Sequence, residues 1–153
     1  MISSILGPMY VRSSEPWHQV RAAELGHSLM NEIMARSFDE NSSRGTTLLR
    51  CGETGAVSCI AAIPACPATG MSSATEEASR DLYDDVDDFH QLDVSGADIN
   101  NIFGNDSRMQ DLYRGYRVQV QVNYHSAVSK RIVLTITTPT GGMIEFAALK
   151  GNW

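Results

Sequence analysis

The sequence predicts an α+β fold: one long amphipathic helix near the start, an irregular middle region, and an antiparallel β-sheet at the end. Three observations carry this. Apolar residues recur at helical spacing across residues 17–37, strict two-residue alternation begins at Tyr116, and only short turns separate the last three apolar runs. The 153 residues suit a single domain. It divides into the helix region 1–37, a variable loop region 38–112 and the sheet 113–153.

In the helix, Ala22, Leu25, Leu29 and Ile33 form the apolar stripe, and Ala23, Met30 and Met34 widen it. Glu15-Pro16 supplies a start signal, since an acidic residue and a proline both suit a first turn. Glu24, His27, Asn31 and Arg36 are expected to point outward. Residues 39–45 (DENSSRG) end the helix as a loop. The opening Met1–Met9 is apolar, too short to cross a bilayer, and without the basic start of a signal peptide. It reads as the tail of a longer apolar helix.

Residues 45–80 keep no period. Thr46–Arg50 is a candidate short strand, 67–80 an irregular loop, and 74–80 a candidate short helix within it. All three cysteines, Cys51, Cys59 and Cys66, fall in this Gly/Ala/Pro-rich stretch. There is no C-x-x-C and no nearby histidine, so zinc and thioredoxin-type readings lack support. A staple here suits an oxidising compartment. The possible pairs are 51–59, 59–66 and 51–66. Gly52 and Gly55 let the loop between Cys51 and Cys59 turn back, which favours that pair.

The charge is uneven. The net charge is -6, and residues 81–93 (DLYDDVDDFHQLD) hold six Asp and no base, so they carry all of it. No basic stripe exists, which argues against nucleic acid and against an anionic membrane surface. Asp84, Asp85, Asp87 and Asp88 are weak candidate ligands for a hard cation such as Ca²⁺. An EF-hand loop does not fit: counting from Asp85, Phe89 falls at position five and His90 at position six, where glycine is required. The favoured expectation is a solvated acidic loop with Leu82, Tyr83, Val86 and Phe89 turned inward. Arg80, Arg108 and Arg114 are the nearest candidate partners for its carboxylates.

Residues 94–101 read as another irregular connection. Tyr116, Val118, Val120, Val122 and Tyr124 then alternate with Arg117, Gln119, Gln121 and Asn123, a half-buried strand. Arg131–Thr138 is a second strand and Met143–Leu149 a third, with Ile144, Phe146 and Ala148 on one side. The short links predict a meander. Helix and sheet must then bury each other, with Leu29 and Ile33 against the face carrying Val118, Val120 and Val122.

No catalytic motif is present: no G-x-S-x-G, H-E-x-x-H, P-loop or G-x-G-x-x-G. The histidines, His18, His27, His90 and His125, are scattered. His18 and His27 lie about 13–14 Å apart along a helix, too far to share a metal. The chain is expected not to be an enzyme and to need no cofactor. Two N-glycosylation patterns, at Asn41 and Asn105, are short and common by chance.

The text VRAAELGHSLMNEIMARSFDENS resembles the post-membrane helix of type IV pilin-like proteins. In order along the chain follow Arg50-Cys51-Gly52-Glu53, Tyr83–His90 (YDDVDDFH), Tyr113-Arg114-Gly115-Tyr116 and Lys150-Gly151-Asn152-Trp153. Together they resemble the minor pilins of the mannose-sensitive haemagglutinin type IV pilus. The resemblance implies a pilin-like fold, with a long N-terminal helix on an antiparallel sheet and a variable region between. It implies a structural role in priming, assembling or tipping a pilus, with other pilin subunits as partners. It places the chain at the periplasmic face of the inner membrane and on the cell surface, held in the membrane only through a helix absent here. It matches Cys51 and Cys59 to the family's cysteines and leaves Cys66 extra. The family has no catalytic residues to carry over. The neighbouring expectations are a type II secretion pseudopilin and an adhesin-like, cation-dependent tip module.

Overall fold

The computed structural model describes residues 3–42, 49–63, 82–99 and 111–153. Helix α1 runs Ser3–Ala35, and strands β1 (Asp93–Ser95), β2 (Arg117–Ser126), β3 (Ser129–Thr137) and β4 (Met143–Gly151) form one antiparallel sheet in the order β1-β2-β3-β4. The α+β class is as the periodicities predict.

The helix is longer than its start signal predicts. It runs through Pro16, which sits exposed on it. Proline's fixed φ suits an interior helical residue as well as a first one, but inside the helix it forgoes the bond to the carbonyl of residue 12 and crowds that carbonyl, at a cost of about 3 kcal/mol. The stripe is as expected: Ala22, Leu25, Leu29 and Ile33 are all buried. Gly26 joins it for a steric reason. A Cβ there would lie 2.6 Å from Cζ of Phe146, so glycine is what lets the β4 ring approach the helix backbone this closely. His27 meets the same ring edge-on, with centroids 5.1 Å apart.

Among the described residues the sheet has four strands rather than three. Asp93–Ser95 pairs with β2 through Asp93↔Gln119, Val94↔Val118 and Ser95↔Arg117, where the sequence reads as irregular connection from residue 94. A 3₁₀ turn, Gly96–Ile99, follows it. The other strands stand where alternation puts them, each two residues longer at one end, while β2 starts one residue later and β3 ends one residue earlier than expected. A two-residue link, Ala127-Val128, joins β2 to β3, and Thr138–Gly142 joins β3 to β4.

The core joins the helix stripe to Val118, Val120 and Val122 of β2 and Ile132, Leu134 and Ile136 of β3. The helix, however, lies over β4 and β3 and not over β2 as expected. The inner face of β2 is covered by the segment 86–99, which contributes Val86, Phe89, Leu92 and Ile99. Strand β1 pairs along the edge of β2, with Val120 N–H donating to the Leu92 carbonyl at 2.9 Å, and so brings the 3₁₀ turns on either side of it, Asp87–Phe89 and Gly96–Ile99, against β2, while the helix takes the far half of the sheet. The candidate strand Thr46–Arg50 lies mostly, and the candidate helix 74–80 wholly, outside the described residues.

Candidate functional site

The acidic segment is not a solvated loop. Asp85 and Asp87 are each 1% exposed and Asp39 is 0% exposed, while Leu82, expected inside, is 55% exposed. Backbone pairing draws the segment in. Ser37, just past the helix, donates its N–H to the Asp84 carbonyl at 2.9 Å and accepts from Val86 N–H at 3.1 Å. This parallel bridge between Ser37 and Asp85 holds residues 37–39 beside residues 84–87.

The carboxylates then cap backbone. Asp85 Oδ1 accepts the N–H of Asp87 at 2.6 Å and of Asp88 at 3.3 Å, and Asp88 Oδ2 accepts those of Asp84 at 3.0 Å and Asp85 at 3.2 Å. Like an N-cap, each short side chain satisfies amides that a tight turn leaves unpaired. Asp39 does the same across a longer span: Oδ1 accepts Asn41 N–H and Oδ2 accepts Ile60 N–H, both at 3.0 Å.

Lys130 of β3 supplies the positive charge. Its ammonium is fully buried and donates to Asp87 Oδ2 at 2.5 Å, to the Phe38 carbonyl at 2.7 Å and to Asp39 Oδ2 at 3.3 Å. All three ammonium donors are therefore used. It also lies 4.3 Å from the Phe38 ring centroid and 5.0 Å from that of Tyr124, whose hydroxyl donates to the Ile60 carbonyl. Sequence reasoning placed arginines here and missed Lys130. Of those arginines, Arg80 and Arg108 lie outside the described residues, and Arg114 is exposed.

One ammonium cannot neutralise three buried carboxylates. Asp85 is pushed up to about 8 by burial and by the neighbouring charges of Asp87 and Asp88, and Asp87 up to about 6, where burial outweighs the pull of Lys130. Burial alone would lower Lys130, but Asp87 and Asp39 outweigh it and hold the amine above its ordinary value. Asp85 thus carries the proton at neutral pH and Lys130 the charge. Asp87 Oδ1 is buried with no hydrogen-bond partner among the described residues. A charged, solvent-free lysine is not a nucleophile; chemically the cluster ties the helix end, the disulfide loop and β3 together.

The four candidate ligands separate. Asp84 is exposed and Asp88 half-buried, while Asp85 and Asp87 are inside. Carboxylate oxygens of Asp84 and Asp85 do lie within 4.8 Å of one another and of Glu40, a residue the sequence did not single out because it belongs to the other side of the Ser37 bridge. Asp39 comes as close to Cys51 and Cys59, but these two sulfurs are bonded to each other and cannot ligate. The favoured pairing Cys51–Cys59 is thus formed, with Cα atoms 4.8 Å apart. Cys66 lies outside the described residues. Asn152 anchors the staple to the C-terminal end, donating to the Cys51 carbonyl at 3.0 Å.

The histidines stay apart. His90 Nδ1 accepts the Val122 N–H at 3.1 Å, and burial lowers its affinity for a proton, so it is a neutral structural acceptor. His18 shares a 2.7 Å hydrogen bond with the Tyr116 hydroxyl. Asp93 pairs in forked fashion with Arg117, which holds its carboxyl below the usual range.

Among the described residues, fold and cluster define an α+β protein with one α-helix, braced by a disulfide and a buried charge cluster. Compared with protein-family models, curated proteins and solved structures, the chain matches none. No helix among the described residues is long and apolar enough to cross a membrane.

Proposed function

We propose that this chain is the head region of a type IV pilus minor pilin, of the MshD type of the mannose-sensitive haemagglutinin pilus, acting in pilus priming, assembly or tip formation. The observation that carries the reading is the helix. At 33 residues α1 is about 50 Å long, well beyond the roughly 30 Å of a nine-residue strand. Among the described side chains of the helix, Glu15 onward, the buried ones run from Ala22 to Ile33. Such a helix can hold a head at one end and pack against neighbouring subunits with the other. The ordered sequence resemblance supports the same reading, and the Cys51–Cys59 disulfide is compatible with an extracytoplasmic location.

On this reading the site is a brace: Lys130 and its carboxylates fix the head on the helix. The test is deletion of the gene, with surface pili counted by electron microscopy and restored from a plasmid. Loss and rescue of piliation support the role. Unchanged pilus number, length and surface adhesion on deletion would refute it. The cation-dependent alternative has its own observation, the proximity of Glu40, Asp84 and Asp85. A saturable rise in melting temperature with Ca²⁺ over EDTA, lost in Asp84→Asn, would favour it; equal melts leave the brace.

A further inference from the structure

The two edges of the sheet differ. β1 is three residues long and its Asp93 is tied to Arg117 on the neighbouring strand. β4 is nine residues long and pairs with β3 without interruption from Met143↔Thr137 to Gly151↔Ser129. Natural edges are usually blunted by brevity, bulges or charge. On β4 the outward-facing side chains are Met143, Glu145, Ala147 and Leu149, with a single charge among them; Lys150 turns inward to the Met34 carbonyl at 2.9 Å.

The ladder fixes which backbone groups are free. At its two ends Thr138 N–H donates to the Gly142 carbonyl and Asn152 N–H to the Val128 carbonyl. Alternation then assigns the bonds to β3 to even-numbered residues of β4 and turns the N–H and C=O groups of residues 143, 145, 147, 149 and 151 outward. Among the described residues, no hydrogen bond outside the ladder reaches them.

We propose that β4 pairs with β4 of a second copy of this chain, antiparallel and in full register about a two-fold axis through Ala147. Full register sets Met143 opposite Gly151, Glu145 opposite Leu149, and Ala147 opposite itself. Three features favour a second copy as the occupant. Because Gly151 has no side chain, the Trp153 ring lies where its Cβ would be. The pairing therefore brings Met143, 74% exposed, under Trp153, 79% exposed, and covers the two most exposed large apolar side chains of the described residues. Second, Leu149 is cross-strand neighbour to Arg131, so Glu145 of one copy enters the row of Arg131 of the other. Two strand spacings, about 10 Å between Cα atoms, are within reach of these two long side chains. Neither has an ion-pair partner among the described residues. Third, a pocket of about 280 Å³ lined by His125, Arg131, Ala147, Ala148 and Leu149 lies in this row, and the Arg131 guanidinium in its wall suits an incoming carboxylate. Sliding the register to centre on Glu145 would instead oppose two like charges.

This inference does not rest on the pilin reading. It is tested by sedimentation velocity on the full chain from about 1 to about 200 µM, a range that covers transient affinities. A reversible dimer is expected. Ala147→Pro removes an outward N–H, which an edge strand tolerates, and should leave a monomer with unchanged circular dichroism. Glu145→Arg and Arg131→Glu should each weaken the dimer about tenfold or more, since two symmetric pairs turn repulsive. The double swap should restore it. Should Ala147→Pro misfold, the two exposed charge variants decide alone. A monomer at every concentration overturns the proposal, as does a dimer that Glu145→Arg leaves intact or that the double swap fails to restore.

Discussion

Replacing Lys130 with Met keeps most of the side-chain volume and removes the charge. Lys130 Nζ is fully buried and holds two carboxylates and one carbonyl at 2.5, 3.3 and 2.7 Å. Removing one partner from such a cluster leaves buried negative charge uncompensated, which costs about 3–5 kcal/mol. Counting bonds gives an upper bound: three charge-assisted hydrogen bonds at about 1.5–3 kcal/mol each give roughly 4.5–9 kcal/mol, and bonds that share one ammonium are not additive. For a chain of this size, 3–5 kcal/mol corresponds to about 6–20 °C in melting temperature. The loss should shrink in acid, because without Lys130 the Asp87 carboxyl rises further above about 6 and takes up a proton. The assay is urea unfolding of wild type and Lys130→Met at pH 8 and pH 5. A destabilisation below about 1 kcal/mol at pH 8, within the range of ordinary point mutants, would refute the brace. So would a destabilisation that does not diminish at pH 5.

The wild-type protein should itself lose stability as pH rises. Asp85 and Asp87 have folded-state values raised from 3.8 to about 8 and about 6, so the folded state binds more protons than the unfolded chain between those limits. The stability is present near pH 4 and is lost through pH 6 for Asp87 and pH 8 for Asp85, by up to about 1.4 kcal/mol per pH unit per group. Asp85→Asn, which still offers an oxygen to the amides of Asp87 and Asp88, should flatten the pH 6–8 limb; a wild-type stability that climbs over that range contradicts the assignment. Gly26→Ala should destabilise by about 1–3 kcal/mol through overlap with Phe146, despite alanine's better helix propensity, and a neutral or stabilising result would mean the helix sits farther from β4. Thiol titration of the denatured, non-reduced protein should count one thiol, Cys66, and three after reduction; three before reduction would remove the Cys51–Cys59 bond.

Much of the architecture was readable because two periods dominate it. The spacing of Ala22, Leu25, Leu29 and Ile33 and the alternation around Val118, Val120 and Val122 both name buried faces correctly. Strand β1 was not readable: Asp93-Val94-Ser95 is too short to show a period, and its pairing is set by β2. Pro16 misled because its φ fits two positions in a helix. The charge cluster was half visible. Six aspartates announce themselves, but the burial of Asp85 and Asp87 and the lysine that pairs with Asp87 are tertiary facts, set by the Ser37–Asp85 bridge. One signal for Lys130 did exist. It is in phase with Ile132, Leu134 and Ile136, so a strand begun one residue earlier would have pointed it into the core.

The cluster also sets an order of events in time. The two hairpins of the sheet join residues near in sequence, and such contacts close fast. Lys130 meets Asp87 across 43 residues and Asp39 across 91. Those contacts require the strands to be in register and the helix end already delivered to them, and their desolvation is repaid only when all three ammonium donors are engaged. The brace is therefore expected to form after the rate-limiting barrier. In a chevron plot Lys130→Met should leave the refolding limb nearly in place and raise the unfolding limb; a slowed refolding limb would put Lys130 in the nucleus. Put in terms of lifetime, this lysine is expected to govern how long the folded state persists and to have little say in how quickly it forms.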